Sequence, residues 1–203
     1  YLLEMASGSF VGADGEYARN AFDELKSNPW AVSGWHTIFM ALTIFISARG
    51  VSRGLEMTVK YLMPTLFLLL IALVLWTVTT SGHFLEGLAF MFSFKADAFS
   101  GQAVLLAMGQ AFFTLSLGMG AIMAYGAYLP RSTSIVGSAV TIALLDTCVA
   151  LLSGMVIFPI VFANGLESSA GPGLMFITLP LAFGQMTGGQ LFGSLFFLLV
   201  TFA

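Results

Sequence analysis

The chain has 203 residues, 58% of them hydrophobic and only 8% charged, with a mean hydropathy of +0.95. A soluble domain carries about 25% charged residues, so the composition excludes a chain that is soluble by itself and implies an integral membrane protein. The net charge is −3 and the seven Lys and Arg residues are scattered, which leaves no footprint for nucleic acid. The one cysteine, Cys148, lies in an apolar stretch, so an intrachain disulfide is excluded and a buried, inert thiol is expected. The chain begins at Tyr1 and stops at Ala203 within an apolar run, which reads as an internal piece of a longer protein.

Residues 1–5 read as the end of an apolar helix. From Ala6 to Pro29 the sequence turns polar, with Asp14, Glu16, Asp23 and Glu24 set against Arg19 and Lys26, and a solvated loop is expected, with room for a short helix from Glu16 to Lys26. The first membrane span is predicted at about 31–48 and is closed by Arg49-Gly50-Val51-Ser52-Arg53-Gly54. A second, at about 55–78, has Glu56 and Lys60 one turn apart near its start and Pro64 inside it, where neighbouring helices re-satisfy the freed carbonyl. An aromatic-rich connection over 79–100 carries His83, Glu86, Lys95 and Asp97. Spans follow at about 103–128, ending near Leu129-Pro130-Arg131, and at about 134–158. A hairpin punctuated by Gly and Pro covers 159–180, and a last span opens near Gln190 and runs to Ala203. Each of these spans is near the ~20 residues that a bilayer requires. Arg49 and Arg53 fall in one short turn and Arg131 in another, so those turns are assigned to the cytoplasmic side. The loops over 6–29, 79–100 and 159–180 are then external.

Inside 103–128, the run Gly109-Gln110-Ala111-Phe112-Phe113-Thr114-Leu115-Ser116-Leu117-Gly118-Met119-Gly120 interrupts an apolar span with hydroxyls and glycines. Irregular backbone survives at membrane depth only when buried in protein or lining a polar cavity. Two readings stay open. The helix is broken there, with freed carbonyls able to hold a cation and the second half-helix presenting its N-terminus to an anionic group; or the glycines simply let another helix approach closely. Asp146 is the only ionisable residue deep within a predicted span, so it should face a cavity, a cation or a hydrogen-bond partner. The competing reading is a structural acid, protonated or capped by a neighbouring hydroxyl such as Thr147. Thr114 in turn either supplies oxygen to an ion or bonds back to a helical carbonyl. His36 and His83 have no Cys or Asp at ligand spacing, and a metal site is not expected at either.

The run from Gln110 to Gly120, followed by Ala121-Ile122-Met123-Ala124-Tyr125-Gly126, resembles the sixth transmembrane helix of the neurotransmitter:sodium symporter family, in particular its bacterial members. In that family this helix is unwound at mid-membrane and lines the central substrate site. The resemblance extends over nearly the whole chain, from the end of the third family helix into the eighth. It implies an all-α membrane protein, part of an inverted-repeat transporter bundle with a discontinuous central helix. It also implies that Thr114 and Asp146 bind the first sodium ion, and that Ala203 offers a backbone carbonyl to the second. Phe113 matches the aromatic lid over the substrate. Ser116, Gly118 and Met119 match positions that line the pocket, with Thr114 beside them, and Met119 brings an adaptable thioether where relatives carry an aromatic ring. Chloride-requiring eukaryotic relatives use that anion to offset sodium charge, whereas here Asp146 supplies a negative charge, so chloride-independent transport is expected. Ala170-Gly171-Pro172-Gly173-Leu174-Met175-Phe176 and Thr178-Leu179-Pro180 resemble the external loop that caps the family's vestibule.

The expected function is sodium-coupled symport of an amino acid, apolar or aromatic because no charge other than Asp146 faces the proposed pocket. Alternating access would be its mechanism, and no cofactor beyond the coupling sodium is expected. The expected location is the inner (plasma) membrane, with lipid, substrate, sodium and the missing helices of the same protein as partners. An intramembrane protease would need a second membrane Asp, or a Ser with a His at the same depth, so an enzyme is not expected. A structural membrane subunit without transport activity is the alternative.

Overall fold

The computed structural model describes residues 1–94, 96, 99–165 and 171–202. The features expected at Lys95, Asp97, Ala170 and Ala203 lie outside the described residues. All regular structure among the described residues is helical. In chain order the α-helices are α1 (Leu2–Ser7), α2 (Gly15–Ser27), α3 (Pro29–Ser47), α4 (Met57–Thr80), α5 (Phe84–Phe92), α6 (Gly101–Thr114), α7 (Ala121–Gly126), α8 (Ile135–Ala163), α9 (Leu179–Gln185) and α10 (Gly189–Phe202). π-helical turns at Val51–Glu56 and Leu174–Thr178 lead into α4 and α9.

Local chemistry sets several of the starts. The Tyr17 N–H donates to Asp14 Oδ1 at 2.8 Å and caps α2, whose first turn carries Glu16 and whose last carries Lys26, each favourable to the helix dipole. The Ala31 N–H donates to Asn28 Oδ1 at 3.0 Å, and Pro29 sits in the first turn of α3, where its missing N–H costs nothing. Ser100 Oγ accepts from the Ala103 N–H at 3.2 Å and opens α6.

Three of these helical stretches, Pro29–Ser47, Gly54–Thr80 and Ile135–Ala163, are long and apolar enough to cross a membrane. By contrast α6 has 14 residues and α10 another 14 among the described residues. At 1.5 Å per residue each spans about 21 Å, short of the ~30 Å hydrocarbon core. α8 carries on to Ala163, past the point where the sequence reading begins the external hairpin. Pro159 sits inside it, buried, and its ring fills the space beside Gly87 of α5, where a Cβ would lie 2.6 Å from the ring.

By their contacts the residues form two compact units, one of Tyr1–Leu88 with the chain from Ser153 onward, the other of Ala89–Leu152. In the first unit α10 is the central post, with α1, α4 and α9 packed on it. Trp76 of α4 stacks on Phe192 at 4.6 Å and on Phe183 of α9 at 5.7 Å. Gly193 of α10 leaves no room for a Cβ because Met5 and Phe183 press on it. α2 lies on the Leu174–Thr178 turn, with the Phe22 and Phe176 rings stacked at 6.0 Å. The second unit holds α6, α7 and the first part of α8. None of the residues of α6 is buried within it, and Cys148 of α8 is exposed there rather than buried as its apolar surroundings in sequence suggest, which lipid or protein can tolerate and water would not.

Candidate ion and substrate site

α6 stops at Thr114 and the chain stays irregular until α7 begins at Ala121. The stop is a Schellman-type cap. The Leu117 N–H donates to the Phe112 carbonyl at 2.9 Å, and the Ser116 N–H to the Phe113 carbonyl at 3.1 Å. Ser116, the first of those two donors in the chain, takes the left-handed conformation at φ 53°, a place usually filled by glycine. Gly118 and Gly120 follow at φ 84° and 80°, values that a side chain would resist. A helix that merely admits a close neighbour needs none of these angles, so the two readings of this run separate here in favour of the broken helix.

The cap also decides which backbone groups are left over. The carbonyls of Ala111, Phe112 and Phe113 are taken by N–H groups of the turn, whereas those of Thr114, Leu115 and Ser116 accept no hydrogen bond among the described residues. Beyond the turn, the N–H groups of Gly118, Met119 and Gly120 donate to none among the described residues. The break therefore offers loose acceptors at one end and loose donors at the other.

Asp146 comes from the middle of α8 and is half-buried. Thr114 Oγ1 donates to its carboxylate, at 2.9 Å to Oδ1 and 3.2 Å to Oδ2, across 32 residues of sequence. Thr147 donates to the Ala143 carbonyl at 2.8 Å and leaves Asp146 alone, while Thr114 turns outward to the acid instead of back to its own helix. One hydroxyl oxygen and two carboxylate oxygens thus meet at the end of α6, hard oxygens of the kind that bind a small monovalent or divalent cation.

Phe113, Ser116, Gly118 and Met119 all belong to this same short run, with Phe113 73% and Met119 67% exposed. Ala203 lies outside the described residues. Among the described residues no three His, Cys, Asp or Glu side chains cluster at metal distance. His83 is engaged through Nδ1 with the Ser81 carbonyl at 2.9 Å. The sequence reading missed the dual duty of Ser116, which forms the left-handed link of the cap as well as standing in the run. Its position three residues ahead of a Met-Gly pair and two after a Thr at a helix end was the available signal.

A model of the sodium:neurotransmitter symporter family matches residues 19–203. A sodium-dependent transporter of Bacillus subtilis (strain 168), YhdH, is 40% identical over 198 residues, covering 98% of this chain and 43% of its own length. A sodium-dependent transporter of Haemophilus influenzae is 33% identical over 207 residues, covering 100% of this chain and 45% of its own. The crystal structure of MhsT in complex with L-phenylalanine superposes with a TM-score of 0.85 at 43% identity, over 100% of this chain and 46% of MhsT. The chain thus spans less than half the length of each of these relatives.

Proposed function

Since the chain belongs to the sodium:neurotransmitter symporter family, a family of membrane transporters rather than enzymes, we propose that the whole protein couples sodium influx to uptake of an apolar or aromatic amino acid. The observation that carries this reading is the Thr114–Asp146 pair at the end of a broken helix. A carboxylate at membrane depth costs about 2.5–3.5 kcal/mol on insertion scales. A cation beside it offsets that cost, and the Thr114 hydroxyl oxygen and the loose Thr114 carbonyl supply further ligands. When sodium arrives, the hydroxyl hydrogen turns away from the carboxylate and its lone pair faces the ion. The second sodium would be met by the carbonyl of Ala203.

The substrate reading rests on the same run. Phe113 and Met119 supply apolar surface, Gly118 leaves the backbone bare, and the free N–H groups of Gly118, Met119 and Gly120 suit the carboxylate that every free amino acid carries. The likeness to MhsT, solved with L-phenylalanine, supports the apolar and aromatic class. With sodium and substrate bound, the outward-facing state is favoured until closure, and release follows on the cytoplasmic side. Asp146 carries the compensating negative charge, so chloride is not required. The expected home is the plasma membrane, the inner membrane where there are two, with the turns at Arg49 and Arg131 in the cytoplasm.

A competition panel on the full-length protein tests the substrate class. Unlabelled Phe, Leu and Met are expected to displace radiolabelled L-phenylalanine in sodium buffer, and Glu and Lys are not. Displacement by Glu or Lys as strong as that by Leu would refute the apolar pocket. No binding of any amino acid in sodium would favour a non-transporting membrane subunit.

A further inference from the structure

The buried stripe of α4 changes character toward its C-terminal end. Leu70, Leu73, Thr77 and Ser81 share one face and are each at most 7% exposed, so that face turns from two leucines to two hydroxyls. Elsewhere in the protein a hydroxyl on a helix satisfies itself. Thr37, Thr43, Thr65, Thr147, Ser194 and Thr201 each donate to the carbonyl four residues back. Thr79, off that stripe, donates to the Leu75 and Trp76 carbonyls. Thr77 Oγ1 and Ser81 Oγ do neither, and both are buried with no hydrogen-bond partner among the described residues. Buried polar atoms are nearly always paired, so two orphans one turn apart mark stored unfavourable free energy. Both oxygens are closed off from the surface, so no outside group reaches either one unless the turn that carries them moves. What holds that turn down is apolar, the Trp76 ring on Phe192 and Phe183. Just past Ser81 the chain is open, with Gly82 at φ 67° and His83 both exposed.

We infer that the last turn of α4, residues 77–81, is a poised element with two arrangements: the dry one described here, and a second in which the turn loosens and water reaches both hydroxyls. In the dry arrangement the stacking of Trp76 outweighs the cost of two desolvated hydroxyls. In the second, their hydration offsets the apolar surface that is exposed, which leaves the two close in free energy. Only one turn has to move. Exposed Gly82 lies directly after Ser81, while Leu73 and Leu70, deeper on the same face, carry no polar group whose wetting would favour a wider opening. Local opening of this kind needs neither the ion nor the substrate assigned above.

The test uses the purified full-length protein in detergent, with Thr77→Val and Ser81→Ala made singly and together. Each replaces an orphan hydroxyl by an apolar group of about its own size or smaller, and each is expected to raise the thermal midpoint by a few degrees, the pair by more. Hydrogen–deuterium exchange then reads the opening itself. Amides over 77–83 are expected to exchange severalfold more slowly in the double variant than in the wild type, with those over 65–73 unchanged. Thr77→Ser keeps the hydroxyl and is expected to keep the fast exchange. Midpoints that stay level or fall in both single variants would overturn the inference, because the hydroxyls would then have partners. Raised midpoints with exchange over 77–83 no slower than in the wild type would overturn it too, because no second arrangement would exist.

Discussion

Thr114 donates 2.9 and 3.2 Å hydrogen bonds to the two oxygens of Asp146, and the consequences of that one hydroxyl can be measured. In the ion-bound state that hydroxyl turns its lone pair to the cation, so Thr114→Val removes a ligand oxygen. It is expected to raise the sodium concentration needed for half-maximal L-phenylalanine binding by about 10- to 100-fold, the order that losing a supporting group costs a metal site, with Thr114→Ser close to wild type. A sodium titration of radioligand binding reads the difference, and equal half-saturation in Val and Ser variants would remove Thr114 from the ion site. Ser116 carries a different burden. Holding a residue in a sparsely populated backbone region costs about 1–3 kcal/mol, and at φ 53° a β-branched side chain fits worst. Ser116→Val is expected to lower the thermal midpoint of the purified full-length protein by several degrees, while Ser116→Gly holds or raises it. At this scale the sequence was informative for charge and hydroxyl placement, since a lone acid in an apolar helix has few legitimate partners. Which hydroxyl, Thr114 or Thr147, turns toward the acid does not follow from the local residues and came from the family resemblance alone, because that choice depends on a contact 32 residues away.

Among the elements, the interruption at 115–120 was legible because glycines at 118 and 120 and hydroxyls at 114 and 116 all weaken a membrane helix at one depth. The caps at Asp14 and Asn28-Pro29 follow local rules and place the starts of α2 and α3. The continuation of α8 through Pro159 does not follow from local rules, which favour a stop. Nor does the room that Gly87, a residue of another helix, leaves for the proline ring. The close backbone contacts around α9 were equally hidden, since Gly184 and Gly189 look like ordinary small residues until the carbonyls of Phe10 and Phe183 are seen against them. Overpacking costs typically 1–3 kcal/mol, and here the obstructing atoms are backbone. Gly184→Ala and Gly189→Ala are therefore each expected to destabilise the full-length protein by about that much or more, read as a drop in thermal midpoint in detergent. Gly12 has nothing within 4 Å of a would-be Cβ, so a loss at Gly12→Ala would come from its φ of 72° alone and is expected to be smaller.

For the whole molecule, the fold class and family were within reach of the sequence because composition forces a membrane protein and the 110–126 run is long and specific. Which residues complete the pocket was not, since the relatives are more than twice as long as this chain. Charge compensation by Asp146 makes a prediction at this scale: replacing chloride by gluconate is expected to leave uptake by the wild type unchanged, and Asp146→Asn to introduce a chloride requirement. The most direct measurement is uptake of radiolabelled L-phenylalanine by the full-length protein in proteoliposomes in chloride-free gluconate buffer, with an inward sodium gradient or with potassium in its place, for wild type and Asp146→Asn. Uptake is expected only with sodium in the wild type, and with a sodium requirement raised at least tenfold or lost in Asp146→Asn. Uptake that proceeds equally in potassium, or a sodium dependence that Asp146→Asn leaves untouched, would contradict an ion held between the broken helix and its facing acid.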